Sequence, residues 1–506
     1  MKLNYKRTIL VGFAFFLISA FWQAYDSTVS LLLTNKFGMS QTWSGVIMAL
    51  DNILALFMLP LFGTLSDKHN GKSGRRTPFI RLGTIVAAVA LVGLSFVDNM
   101  QMQSLDAVSA IDDPAALSTL YDAQADSKLM TPEGEQFVLS ETLSKEQFTA
   151  IRTGNSDYTN YVVPARQAYA AQATAQNPMP LIIFISLLLV VLIAMATFRS
   201  PAVALMPDVT LKPLRSKANA VINLMGTAGG ILVLVLGMVF GTSAVKNSLM
   251  SYTGFYGVIA AVMIGALVIF LTTVREKQWA AQMQSDAIRY GIEEEVHDET
   301  AKRGLSKSQL LSLICILLSV ALWYFGYNAV TSKYSVYAPN ILQKDYNTTM
   351  LIAQGAAIVA YLPAGMVASK IGRKKTILGG VTLLALAFGA AAFMRAGSPT
   401  WLMNIMFAVA GIAWATINVN SFPMVVEMCS GADVGKYTGF YYTASMAAQT
   451  VTPMLSGYLM DRMGMTVLFP YAAVCVALAF VTMLLTRHGD AKIIAKQGLE
   501  AFDTDD

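Results

Sequence analysis

Gly63-Thr64-Leu65-Ser66-Asp67-Lys68-His69-Asn70-Gly71-Lys72-Ser73-Gly74-Arg75-Arg76-Thr77-Pro78 lies between two apolar stretches, 43–66 and 79–97, and its reading as a basic turn between membrane helices decides the fold. Lys68, Lys72, Arg75, Arg76 and Arg81 gather in and beside it, while the flanking stretches are too apolar for water. Crossing the hydrocarbon layer as a helix takes about 20 apolar residues. Working outward, twelve stretches meet that length: 8–33, 43–66, 79–97, 181–206, 218–241, 252–274, 310–334, 348–368, 376–394, 401–426, 437–460 and 467–485. The chain of 506 residues is 55% hydrophobic and only 13% charged, a balance that points to lipid as solvent. The first stretch follows Lys2, Lys6 and Arg7 as a signal peptide would, but it is too long, holds Asp26 and lacks a small-residue cleavage site. It is expected to remain as the first helix.

Charge segregates by side of the membrane. Lys2, Lys6, Arg7, the basic turn quoted above, Lys212, Arg215, Lys217, Lys370, Arg373, Lys374, Lys375 and Lys436 share one side, whereas Lys36, Lys246, Lys344, Arg395 and Arg462 occupy short loops opposite. The positive-inside bias then puts both termini in the cytoplasm of a cell membrane. The net charge of +5 therefore reports orientation and gives no nucleic-acid patch. Cys315, Cys429 and Cys475 lie in or at the end of apolar stretches without metal-ligand spacing, so no disulfide or metal site is expected. His69, His297 and His488 fall in the expected cytoplasmic segments, away from any nucleophile or phosphate-cradling loop. The reading is of a monomer that is no enzyme, needs no cofactor and has a small solute and the bilayer as partners.

The stretches divide six and six. Residues 1–97 and 179–274 form an N-terminal bundle, 98–178 an extracellular insertion, 275–307 a cytoplasmic linker, 308–486 a C-terminal bundle and 487–506 a tail. The insertion is acid-rich and carries no enzyme motif; a small helical cap and a mobile loop both fit its composition. The halves repeat one another. Trp22, Tyr25 and Asp26 are echoed by Trp323, Tyr327 and Asn328; Asp51 and Gln354 each stand nine residues before a proline, Pro60 and Pro363; Asp208 with Lys217 is echoed by Glu427 with Lys436. Two parallel halves around a midplane cavity follow, the layout of alternating access.

The 63–78 turn resembles the cytoplasmic signature of the major facilitator superfamily, in the stretched form of the glycoside-pentoside-hexuronide:cation symporters and the plant sucrose/proton symporters. The resemblance implies an all-α fold of twelve helices in two pseudo-symmetric bundles. Gly63 is read as letting two helices approach, Asp67 as sitting near a positive helix N-terminus, and Arg75 or Arg76 as bonding Asp208. Such a latch would hold the cytoplasmic gate shut. The echo at Gly365 to Arg373 has Ser369 in place of the acid, so the second latch, with Glu427, is expected to be weaker or absent. Melibiose-type relatives read Asp-x-Pro-x-x-x-Leu-x-Pro in the fourth helix, where this chain has Arg199, Pro201, Leu205 and Pro207; their cation-binding acids correspond here to Ala55 and Leu59. The family's sodium site is thus missing in its usual form.

Asp26 and Asp51 become the proton-coupling candidates, with Arg199 as the competing cation. A carboxylate among apolar helices either protonates or pairs, and either state serves inward proton flow coupled to uptake. A hydroxylated solute needs hydrogen bonds and flat apolar faces together. Trp22, Gln23, Tyr25, Asn223, Trp323, Tyr324, Tyr327, Asn328, Gln354, Trp414, Asn418 and Gln449 are the candidates to supply them, on stripes at helical spacing. The sequence thus favours proton-coupled import of a glycoside, disaccharide or oligosaccharide. An exporter of drugs or amphiphiles in the same fold, an anionic-sugar (hexuronide) carrier and a nontransporting sensor are the competing readings.

Overall fold

The computed structural model describes residues 3–71, 73–211, 214–290, 306–426, 428 and 434–489. Twelve long helices cross it: α1 (Tyr5–Asn35), α2 (Gln41–Lys68, broken at Ala49), α3 (Thr77–Ser104), α4 (Met179–Val209), α5 (Arg215–Phe240), α6 (Thr253–Thr273), α7 (Lys307–Tyr337), α8 (Tyr346–Ile371), α9 (Arg373–Ala391), α10 (Thr400–Val426), α11 (Val434–Met463) and α12 (Leu468–Leu485). Local chemistry sets several starts. Ser306 and Gln309 form a capping box for α7, Ser40 caps α2, and the Asp345 carboxylate accepts from the first N–H groups of α8. Among the described residues ten spans qualify for a bilayer by length and hydropathy; α11 does not, because Gln449 and the hydroxyl-bearing Tyr441, Ser445 and Thr452 dilute its apolar content. Its packing within a helical bundle supplies what its composition lacks.

Helix pairing repeats across the halves. In the N-terminal bundle α1 packs on α5 and α6, and α4 on α2 and α3; in the C-terminal bundle α7 packs on α11 and α12, and α10 on α8 and α9. Each bundle has its own apolar core, one around Leu17, Phe21, Leu91, Phe184 and Phe255, the other around Trp323, Tyr334, Phe407 and Phe469. Among the described residues, the element pairs that pack closely across the halves are α2 with α11, α5 with α8, and α1 with α7. Their bonds lie toward the face that carries the insertion. There Gly45 and Gly457 bring α2 and α11 so close that a Cβ on either would run into the backbone oxygen of Pro453 or Gln41.

The insertion is a folded cap with a third apolar core, built on Leu117, Leu120, Leu139 and Phe148. It contains helices Pro114–Gln124 and Val163–Gln176 and an antiparallel hairpin pairing Lys128–Met130 with Gln136–Val138. Its edge shifts from the sequence reading, because α3 continues through 98–104. Asp98 there belongs to the helix: it is fully buried against Lys36, at 2.6 Å, and Lys36 also donates to the Met250 carbonyl at 2.5 Å. A charge pair that looked like two loop residues is a membrane-edge bond between α1, α3 and the start of α6.

Candidate functional site

Between the bundles lies a cavity of about 460 Å³, lined by α1, α4, α5, α7, α8 and α10. Of the residues singled out in the sequence, Trp22, Gln23, Asp26, Arg199, Asn223, Tyr327, Gln354 and Trp414 face it. Its floor toward the insertion is a cross-bundle bond: Gln354 Nε2 donates to Gln23 Oε1 at 2.8 Å, and Gln23 Nε2 donates to the Tyr346 hydroxyl at 3.3 Å. The C-terminal wall is aromatic. Tyr327 and Trp414 stack with centroids 3.6 Å apart and planes 4° from parallel, and Tyr324 meets Trp414 edge-on at 5.3 Å.

The N-terminal wall carries the charges. The Arg199 guanidinium sits 5.8 Å from the centroid of Trp22, within cation–π range. Asp51 feels the charge of Arg199, and Asp26 that of Asp51, so the three groups form one electrostatic cluster. Only Asp26 and Arg199 of the three line the cavity. The Asp51 carboxylate instead accepts from Asn52 Nδ2 at 2.8 Å. The Trp22 indole N–H is buried and, among the described residues, has no hydrogen-bond partner, which leaves a donor for a solute oxygen.

The remaining sequence candidates stand outside the lining. Trp323 is sealed in the C-terminal core, since one residue of register from Tyr324 turns a helical side chain by about 100°. Tyr25 is buried against Phe21 and Trp22. Tyr324 backs the aromatic stack, whereas Asn328, Asn418 and Gln449 are half-buried beside the cavity without lining it. Conversely, Tyr361 lines it and was missed, although Gln354, Ala357, Ile358 and Tyr361 follow the i, i+3, i+4, i+7 rule.

Two family models match the chain: the Major Facilitator Superfamily over residues 336–501 and the MFS/sugar transport protein model over residues 10–111. Among solved structures, an inward-open xylose transporter XylE of E. coli superposes with a TM-score of 0.57 at 15% identity, covering 95% of this chain and 96% of that one. The nucleoside transporter NupG gives 0.51 at 15% identity, covering 96% and 100%. It is a multi-pass membrane protein with the major facilitator fold. The MFS-type transporter ppzB of Metarhizium rileyi is 27% identical over 141 residues, a match that spans 28% of this chain and 29% of that relative.

On the face opposite the insertion, the 63–78 turn forms a network inside the N-terminal bundle. Arg76 Nε bonds Asp208 at 2.8 Å, its Nη1 donates to Ser66 at 2.5 Å, and its Nη2 pairs with Asp67; Arg75 stands 3.9 Å from Asp208. Burial opposes the charge of Arg76, and the Asp208 and Asp67 carboxylates more than offset it, raising its affinity for the proton. Gly63 brings α2 against Ser200 of α4. The latch is therefore assembled while α2–α11, α5–α8 and α1–α7 hold the halves together on the opposite side, and it ties α2, α3 and α4 to one another. Asp67 does not occupy the helix N-terminus expected of it. Glu276, from the linker, does: its carboxylate accepts from the N–H groups of Arg75, Arg76 and Thr77 at 2.6, 2.8 and 2.8 Å and from the Thr77 hydroxyl at 2.6 Å. In the other half Arg373 begins α9, while Glu427 and the side chain of Ser369 lie outside the described residues.

A second unforeseen set of charges joins the bundles at the insertion face. The Asp461 carboxylate of α11 accepts from Gln41 N–H at 2.8 Å, Thr42 N–H at 2.7 Å and the Thr42 hydroxyl at 2.5 Å, so it caps α2 from the opposite half. Lys333 of α7, fully buried, donates to the Gln41 carbonyl at 2.6 Å. A lysine inside an apolar stretch was the available signal, and it needs such a partner to be tolerated.

Proposed function

We propose that this protein is a secondary transporter of the glycoside-symporter kind, importing a glycoside, disaccharide or oligosaccharide together with a proton by alternating access. The observation that carries the reading is the two-sided wall of the cavity: an aromatic stack, Tyr327 on Trp414, in the C-terminal bundle, opposite hydrogen-bonding groups on Trp22, Gln23 and Asn223 of the N-terminal bundle, with Gln354 bridging to Gln23. A sugar ring presents an apolar face and a rim of hydroxyls, and this pairing matches both. The volume of about 460 Å³ falls within the roughly 300–1,000 Å³ of small-molecule sites. The positive-inside bias makes the basic face cytoplasmic, so contacts gathered at the insertion face describe an inward-facing state. Asp26 lines the same cavity as Arg199 and is the group on which a proton and the solute meet. Because Arg199 also lines the cavity, a hexuronide, with its carboxylate on the guanidinium, is the second reading.

Counterflow in proteoliposomes tests both. Protein loaded with unlabelled disaccharide is expected to accumulate labelled disaccharide, and glucuronides to compete more strongly if the second reading holds. Exchange of neither class, with hydrophobic cations transported instead, overturns the sugar assignment.

A further inference from the structure

The insertion has one firm root and one light foothold. It continues α3 and α4 of the N-terminal bundle, and Gln101 fastens it further by donating to the Lys36 carbonyl at 2.9 Å and to the Thr174 hydroxyl at 3.0 Å. Gln167 adds a bond to Asn35 at 3.1 Å. It has its own buried core and is fastened to that bundle by these bonds. Its hairpin turn, however, reaches across to the C-terminal bundle. Met465 N–H donates to the Pro132 carbonyl at 2.7 Å and Glu133 pairs with Arg395 at 3.3 Å; away from the turn, Gln343 of the C-terminal half donates to the Thr159 hydroxyl of the insertion at 3.3 Å.

The foothold is backbone on backbone. Gly134 and Gly464 both take positive φ, 100° and 85°, and a Cβ on Gly134 would lie 2.5 Å from the Met463 carbonyl oxygen. Any side chain there would lift the turn. The Glu133–Arg395 pair is exposed on both sides, the kind of ion pair that holds weakly and exchanges with water. Beside the foothold, Met39 and Gln41 of the N-terminal half, Pro132 of the turn, and Asp461 and Met465 of the C-terminal half line one small pocket. Three parts of the chain thus meet where α2 and α11 must separate for the cavity to open to this face.

We propose that the insertion is a clasp: its 131–135 turn must leave the α11–α12 junction before the bundles part on the insertion face, and its docking sets how often the cavity opens to that side. The proposal rests on the alternating-access reading above. A body rooted in one bundle and seated on the other cannot stay seated while the two rotate apart, and its few polar contacts suit repeated release.

The test has two arms, in full-length protein whose native cysteines are replaced. Pro132→Cys with Met465→Cys places a cross-link across the foothold. Oxidation is expected to slow solute exchange by about tenfold or more, reversibly with dithiothreitol. Full-rate exchange with the cross-link formed, or failure of the pair to oxidise at all, overturns the clasp. In the second arm Gly134→Val, and separately Glu133→Arg facing Arg395, are combined with Thr331→Cys in the cavity. Labelling by an impermeant maleimide added at the insertion face is expected to rise several-fold over Thr331→Cys alone, and unchanged labelling in both overturns the proposal. This arm needs no solute, so it decides the clasp even if the sugar assignment fails.

Discussion

The two bundles share a packing plan and divide the chemistry. In the N-terminal bundle the cavity wall holds Asp26 and Arg199, with Asp51 in electrostatic reach; in the C-terminal bundle the facing wall holds Tyr327, Trp414 and Gln354. The positions that the internal repeat pairs have drifted in role as well as identity. Gln354 lines the cavity and bonds Gln23, whereas its counterpart Asp51 turns to Asn52. Toward the cavity, the duplicated frame lets one copy carry Asp26 and Arg199 while the other supplies flat, neutral surface, buried Lys333 of α7 lying instead at the insertion-face contact; on the proposed proton-coupled import the charged wall is where the proton acts.

The largest break in that comparison is expected from Asp26→Asn. Uptake-linked alkalinisation should vanish while counterflow, which needs no net proton movement, persists. Asp51→Asn should weaken coupling less, because Asp51 acts on the cluster without lining the cavity. Full coupling in both variants would remove these acids from the mechanism. Equal loss in the two would show that the cavity lining does not rank them.

A smaller and differently shaped effect is expected on the neutral side. Trp414→Ala removes one ring of the Tyr327 stack, and such aromatic contacts contribute about 0.5–1.5 kcal/mol, so the apparent affinity for a sugar should fall by about two- to tenfold. Proton stoichiometry, measured by the alkalinisation per solute taken up, should not change. A Trp414 variant that uncouples transport without losing affinity would erase the division between the halves.

The twelve helices were legible from apolar length, α11 least clearly because Gln449 and its hydroxyl-bearing neighbours lower the average that hydropathy reads. Trp22, Gln23, Asp26, Asn223, Tyr327, Gln354 and Trp414, singled out from spacing and type, and Arg199, singled out from the fourth-helix motif, all line the cavity. Trp323 was misread since a one-residue offset within a repeat rotates a side chain from cavity to core. The insertion's fold was hidden because its acids mask a modest apolar core, and Asp98 was assigned to it although it pairs with Lys36 across two helices. Glu276 and Asp461 were invisible for a shared reason. Each caps a helix far away in sequence, and nothing local marks an acid as the cap of a distant N-terminus.

That last feature yields the smallest expected effect and the cleanest contrast between the halves. Behind the basic turn of the N-terminal bundle, buried Glu276 satisfies three N–H groups at the start of α3. At the corresponding place in the C-terminal bundle, half-buried Lys374 donates to the Leu484 and Thr486 carbonyls at 2.9 and 2.6 Å, at the end of α12. Hydrogen bonds to a charged group contribute about 1.5–3 kcal/mol, and removing this carboxylate orphans buried donors, so Glu276→Ala should cost on the order of 3 kcal/mol. A cation at a helix C-terminus near the surface contributes about 0.3–1 kcal/mol, so Lys374→Ala should cost less than a third as much. Thermal unfolding in detergent checks the ordering: Glu276→Ala should melt clearly below Lys374→Ala, with both still folded at room temperature. If the two melt together, the linker helix is not what fastens the turn of the N-terminal bundle, and the halves are held alike.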